Sequence, residues 1–194
     1  MNISLESKDM RITRTYKKRN NGFTLIELIV TISIATILAS IAIPSFTELI
    51  RSNQLTSGTN ELVSSLILAR SEALKRNNNV SLCASLDQTT CSGTDFSTGW
   101  IVFVDCNAVP NGTIDGGTDC NGDGDTTDVG DNDPIIKVHG PIEGMSISKN
   151  GTASYQTFNF TGRAPVSTIT VTSDDGENTR QISVSATGRV NTNN

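Results

Sequence analysis

At 194 residues the chain suggests one anchoring segment and one globular domain. Its formal charge of -5 is unevenly spread, with residues 1–22 net basic and the stretch from Asp105 to Asp133 heavily acidic. An acidic domain argues against broad electrostatic binding to nucleic acid, although it leaves room for a local basic site.

The chain opens with a basic segment that ends in Lys17-Lys18-Arg19, and Met10 offers an alternative start that keeps the same patch. From Thr24 to Ile43 the sequence is almost unbroken apolar. At ~1.5 Å per residue this run makes roughly 30 Å of helix, about the hydrocarbon thickness of a bilayer. The basic patch upstream holds that end in the cytoplasm. A single ionisable residue, Glu27, sits near the start of the run. A carboxylate in lipid costs a few kcal/mol, so it calls for a partner and a purpose.

At these residues the sequence resembles the type IV pilin and pseudopilin superfamily: a basic leader, Gly22, then Phe23-Thr24-Leu25-Ile26-Glu27 opening an apolar helix. The resemblance implies that a prepilin peptidase cuts between Gly22 and Phe23 and N-methylates Phe23. It also implies that Glu27 meets the N-terminal amine of a neighbouring subunit during filament assembly, where two opposite charges in a low-dielectric medium need each other. Three other readings compete. A Sec signal peptide fits the small-x-small pattern Ser40-Ile41-Ala42, but the apolar run exceeds the usual ~7–15 residues and carries Glu27 at its head. An ordinary single-pass anchor needs neither Gly22 nor Glu27, and a buried soluble helix does not fit the basic-then-apolar order.

Pro44 lacks an N–H and its ring clashes with the carbonyl four residues back, so a kink is expected there before the helix resumes. Phe46, Leu49, Ile50, Leu55, Leu62, Val63, Leu66, Ala69 and Ala73 recur at helical spacing and form one apolar face. Arg51, Asn53, Asn60, Glu61, Arg70 and Lys75 lie opposite, and Gly58 is a weak point between them. Arg76-Asn77-Asn78-Asn79 stops the helix. Beyond it, short β-like runs alternate with turn residues: Val80–Ala84, Trp100–Val104, Ile135–Val138, Met145–Ser148, Thr157–Phe160, Thr168–Thr172, Gln181–Ser185 and a terminal run at Val190. Asn150-Gly151 reads as a hairpin turn. The fold class is therefore α+β, with one long N-terminal helix packed on an antiparallel sheet domain.

All four cysteines follow the apolar run, which places them in an oxidising compartment if the N-terminus is cytoplasmic. Sequence neighbours suggest Cys83–Cys91 and Cys106–Cys120, among three possible pairings. Zinc is the alternative use, although there is no Cys-x-x-Cys and the only histidine, His139, is remote.

The globular residues narrow the resemblance to the GspH/FimT group of minor pilins and pseudopilins. They are Ala69-Arg70-Ser71-Glu72-Ala73 with Lys75-Arg76-Asn77, then Ser81-Leu82-Cys83 and Gly99-Trp100-Ile101-Val102-Phe103-Val104-Asp105. Phe158-Asn159-Phe160-Thr161-Gly162-Arg163 and Gly188-Arg189 follow. Relatives of the FimT type use a Gly-Arg-x-Arg pattern near the C-terminus to grip DNA. Here the second arginine is Asn191, so Arg163, Arg180 and Arg189 make at most a small basic surface, and capping of strand ends is the plainer role for Arg189.

In the Asp-rich stretch, Asp119, Asn121, Asp123 and Asp125 place oxygens at alternate positions with Gly124 sixth, matching the first half of an EF-hand calcium loop. Position twelve is Gly130 rather than glutamate, so Asp128 or Asp131 would have to substitute. A solvated insertion fits the same residues. Catalysis has little support: no serine lies in a Gly-x-Ser-x-Gly elbow, phosphate-binding glycine loops are absent, and His139 before Gly140-Pro141 reads as a turn histidine.

The resulting expectation has four segments: a leader over 1–22, a membrane or filament-core helix over 23–43, an amphipathic continuation over 44–78, and a β-rich domain over 79–194 with the Asp-rich loop at 105–134. The resemblance implies a non-enzymatic minor pilin or pseudopilin of a type IV pilus or type II secretion pseudopilus. Its partners would be other pilins, the prepilin peptidase and the inner membrane, with the domain in the periplasm or outside the cell. No cofactor is implied beyond the calcium of the loop. A DNA-binding tip subunit and a secreted calcium protein with a signal peptide are the alternatives.

Overall fold

The computed structural model describes residues 22–107, 109–115, 119–120, 133–151 and 154–193. The chain divides into two compact units, one ending at Pro44 and one beginning at Ser45. A single helix, α1 (Leu25–Arg76), runs from the first into the second. The strands follow: β1 (Asn79–Ala84), β2 (Trp100–Asp105), β3 (Ile135–His139), β4 (Met145–Lys149), β5 (Tyr155–Phe158), β6 (Ser167–Ser173), β7 (Thr179–Val184) and β8 (Val190–Asn193).

The helix assignment continues through Pro44 for all 52 residues. The helix stops where Asn77 takes a left-handed φ of 54° and the Asn78 N–H returns to the Ala73 carbonyl at 3.3 Å. This is a Schellman cap, with asparagine in the position glycine usually fills.

In the first unit, every described residue from Gly22 to Ile43 is exposed. The stretch is long and apolar enough to cross a membrane.

In the second unit the strands form two antiparallel sheets of four rather than one, ordered β3-β2-β1-β5 and β4-β6-β7-β8. Leu55, Leu62, Leu66, Ala69 and Ala73 of α1 share a core with Val80, Trp100, Phe158, Ile169 and Ile182 from both sheets. The apolar face is thus shorter than its sequence pattern: Phe46, Leu49 and Ile50 are exposed. Gly58 is not a weak point but a close contact, since a Cβ there would lie 2.6 Å from the Met145 Sδ. Strands β1 and β2 are buried on both faces. Their second face holds Cys83, Ile101 and Phe103, with Cys91, Ile114 and Tyr155 packed against it. That double burial explains their continuous apolar runs, whereas β6 buries alternate residues only.

Two expectations at the turns change. Asn150-Gly151 is no hairpin, because β4 pairs with β6 and β5 with β1, so the connection crosses between sheets. The fifth strand begins at Tyr155 and stops at Phe158, because Asn159 and Phe160 enter a turn. In that turn the Asn159 side-chain oxygen accepts from the Thr161 and Arg163 N–H groups at 3.1 and 2.9 Å. The β7–β8 turn repeats the device: Ser185 Oγ accepts from the Arg189 N–H at 3.1 Å. Both turns read Thr-Gly-Arg, at 161–163 and 187–189.

The twin turns lie against each other, and Arg70 of α1 ties them together. Its Nε donates to the Gly162 carbonyl and its Nη2 to the Thr187 carbonyl, each at 3.1 Å. Gly162 and Gly188 both have left-handed φ, 74° and 73°. A Cβ on Gly188 would lie 1.9 Å from the Gly162 oxygen, a backbone atom that has no rotamer by which to move aside. Gly188→Ala is therefore expected to destabilise the domain by about 2–3 kcal/mol, from left-handed strain and forced separation of the turns. Thermal unfolding of the full chain in detergent checks this, with Gly176→Ala, at a turn with open space around its Cα, as the comparison.

Candidate functional site

The first turn of α1 carries the most distinctive arrangement. Thr24 precedes the helix and its Oγ1 accepts from the Glu27 N–H at 3.2 Å, while the Glu27 carboxylate accepts from the Thr24 N–H at 3.5 Å. This is a reciprocal capping box. The Thr-x-x-Glu signal stands in the sequence, but within an apolar run it reads as part of the run. Further along, the hydroxyls of Thr31, Ser33, Thr36 and Ser40 donate to carbonyls of the preceding turn at 2.7–2.8 Å. Each neutral polar side chain is thus satisfied within the helix, as a lipid environment requires. Glu27 is different: exposed, charged, and next to Phe23 and Gly22, which are exposed as well. Its carboxylate is the one acidic group in the first turn, where the helix dipole favours negative charge.

The two cystines of the second unit are Cys83–Cys91 and Cys106–Cys120. No cysteine is left as a thiol, so none remains to hold zinc. Of the residues read as a calcium loop, Asn121, Asp123 and Asp125 lie outside the described residues, as do Asp128, Gly130, Asp131 and the leader over 1–21. Asp119 is described beside Cys120.

The base of the Asp-rich stretch is built from buried carboxylates held by backbone and amide donors. Asp105 accepts from Ser81 Oγ at 2.9 Å and from the Gly112 N–H at 3.1 Å. Asp133, 3% exposed, accepts from the N–H groups of Cys106 and Asp115 at 3.0 and 3.3 Å. Burial pushes the Asp133 carboxyl up to about 6; the charges of Asp115 and Asp105 add to the rise, and the two N–H donors oppose it. Asp115 moves the other way, held below the carboxylate range chiefly by the Asn111 amide.

His139 is not a free turn histidine. It ends β3, stacks on Trp100 with ring centroids 3.9 Å apart, and sets Nε2 against the Glu61 carboxylate and Nδ1 against the Gly140 carbonyl. Trp100 Nε1 and Lys137 Nζ both donate to Ser65 Oγ at 3.0 Å. Glu61 and Arg70, read from sequence as solvent-facing, therefore serve contacts from α1 to the strands and turns.

The arginines read as a basic surface do not converge as a trio. Arg163 and Arg189 are exposed on the twin turns. Arg180 pairs in register with Val171 near the start of β7, toward the other end of that sheet. The strand-capping role expected of Arg189 belongs to Arg70, whose guanidinium takes carbonyls 92 and 117 residues away.

Residues 58–188, more than half of the chain, match the family Type II transport protein GspH. Residues 17–43 match the prokaryotic N-terminal methylation motif. Among solved structures, the type IV minor pilin FimU of Pseudomonas aeruginosa is similar over 77% of this chain and 92% of that chain, at 21% identity and a TM-score of 0.51. Its second crystal form is 19% identical over 72% of this chain and 92% of that chain, with a TM-score of 0.49. The minor pseudopilin EpsH from the type 2 secretion system of Vibrio cholerae is 12% identical over 72% of this chain and 95% of that chain, with a TM-score of 0.43. No curated protein matches significantly. At these identities the FimU likeness speaks for the fold.

The Asp133 environment yields a test. The carboxyl rises from an ordinary 3.8 to about 6, so between those values the folded chain holds a proton that the unfolded chain has released. This contribution favours folding at low pH and is lost as pH rises through about 6. The stability of wild type relative to Asp133→Asn should fall between pH 4.5 and 7 and stay level above that. The variant's own loss of one acceptor is independent of pH. Urea unfolding at several pH values reads the difference, and a flat difference would remove Asp133 as its source.

Proposed function

This chain belongs to the Type II transport protein GspH family, and on that premise we propose how its N-terminal segment works. It is a minor pilin or pseudopilin, a subunit of a type IV pilus or type II secretion pseudopilus. In our reading the chain enters the inner membrane with its basic leader in the cytoplasm. A prepilin peptidase cuts between Gly22 and Phe23 and methylates the new Phe23 amine. The β-rich domain stands on the far side of the membrane, where its cystines persist. The family is one of structural subunits, and the apolar helix joins the helices of other subunits in a filament core.

The observation that carries this reading is Glu27: the single carboxylate of an apolar stretch whose hydroxyls are all satisfied within the helix. An unpaired charge in lipid is costly, and a neighbour's Phe23 amine is the cation that the motif supplies. The capping box holds Glu27 at the helix mouth, where a second subunit's terminus can reach it.

Two variants separate capping from charge. Glu27→Leu removes both the carboxylate and the acceptor for Thr24. Glu27→Gln retains an oxygen for the cap and removes only the charge. Both should insert in the membrane at least as well as wild type, since the insertion cost of the acid is gone. Both should still be cut at Gly22, and neither should enter sheared filaments or cross-linked assemblies. Normal incorporation of Glu27→Gln would show that the cap, and not the charge, is what assembly uses.

A further inference from the structure

The charge balance of the mature chain, taken with the packing of its turns, singles out two side chains. Six of the fifteen Lys/Arg and two of the twenty Asp/Glu lie in residues 1–22, so the chain from Phe23 on has nine cations against eighteen carboxylates. Such an excess of acid leaves each cation with many possible partners. Arg51 pairs with Asp175, Lys75 and Arg76 pair with Glu72, Arg70 holds the twin turns, and Lys137 donates to Ser65. Among the described residues, the guanidiniums of Arg163, Arg180 and Arg189 have neither an ion pair nor a hydrogen bond; Arg180 stands alone near the start of β7, whereas Arg163 and Arg189 stand on the two turns that pack together. Beside them opens a groove of about 530 Å³, lined by Asn79, Pro110, Tyr155, Asn159, Phe160 and Arg163. Phe160 is 53% exposed at its wall, and Val166 nearby is 74% exposed.

The opposite end of the same unit is the reverse. Where α1 enters it, Glu48, Asp175 and Glu177 bring their carboxylates within 4.8 Å of one another, and Arg51 is the one cation paired there. From Arg51 to Arg70 the helix rises roughly 28 Å. One domain therefore presents an acidic end and, across its length, two unpaired arginines beside an apolar groove.

We propose that the twin-turn end docks onto a carboxylate-bearing surface of the adjacent filament subunit, of the kind this chain presents at its own opposite end. Arg163 and Arg189 take carboxylates of that neighbour, a fork geometry that suits them, and Phe160 with Val166 closes over its apolar side chains. The contact is heterologous, the type that builds an open filament where its rotation does not close. A nucleic acid is the poorer partner. Polyanion affinity scales with the number of cations engaged, and two neighbouring guanidiniums on a strongly acidic chain give few. The proposal rests on the filament reading above.

The test places the photoreactive analogue p-benzoylphenylalanine at position 160 of the full chain in its own cells, irradiates assembled filaments, and maps the cross-linked peptide by mass spectrometry. The expected product joins position 160 to a pilin-type subunit within a few residues of an Asp or Glu. The double variant Arg163→Glu/Arg189→Glu should lower its yield about five-fold or more, and changing the mapped acids to Lys should restore it. Arg163→Gln/Arg189→Gln gives an intermediate yield. Equal melting temperatures of the variants keep misfolding out of the comparison. A cross-link to nucleic acid, a mapped surface without carboxylates, no product from filaments that contain the chain, or a yield that ignores charge reversal would each overturn the docking proposal while leaving the filament reading intact. Absence of the wild-type chain from filaments would overturn both.

Discussion

One helix has to satisfy two surroundings. Backbone groups in lipid find no water, so α1 must meet every polar demand of its first half internally, and it does so with side-chain hydroxyls turned onto carbonyls of the preceding turn. Its second half must instead present a narrow face to two sheets. Leu55, Leu62, Leu66, Ala69 and Ala73 do that at alternating steps of four and three, apart from the longer step after Leu55, which Thr59 fills as a buried hydroxyl bonded to the Leu55 carbonyl at 2.6 Å. The change of role falls near Ser45, where the second compact unit begins.

Within the second unit, α1 is also the part that joins sheet to sheet. Its apolar residues share one core with strands from both sheets, and Arg70 adds a directional bond to each of two turns. A guanidinium suits this task because its planar donors reach two carbonyls at once while staying fully charged. The close approach of Gly188 to the Gly162 carbonyl leaves no room for a side chain, so the junction is fixed by backbone shape as well as by the arginine. An arrangement this constrained fixes the backbone from which Arg163 and Arg189 project, as a preorganised docking surface requires.

Local patterns made much of this legible. The basic leader, Gly22 and the apolar run with Glu27 identify the N-terminal segment, because length in lipid and cost of charge are properties of a contiguous stretch. Most strands follow from short β-branched runs, and the helix end at Asn77 follows from its neighbours. What stayed hidden depends on partners far along the chain. Glu61 and Arg70 look like solvent-facing charges until His139, Gly162 and Thr187 are brought beside them, 78, 92 and 117 residues away. The division into two sheets is a matter of which strands pair, and no run of residues encodes it locally; hence Asn150-Gly151 resembled a hairpin while joining different sheets. The repeated Thr-Gly-Arg at 161–163 and 187–189 was the signal available for the twin turns, and Thr-x-x-Glu at 24–27 was the signal for the cap.

In our reading the apolar stretch is an assembly segment freed at its N-terminus by cleavage, and not a tether or a secretion signal. The most direct measurement is the intact mass, with N-terminal sequencing, of the chain extracted from membranes. The account predicts a single start at Phe23 carrying one added methyl group on its amine. A start at Ile43, which would place the apolar run in a removed signal peptide, or an uncut leader ahead of Gly22, would contradict it.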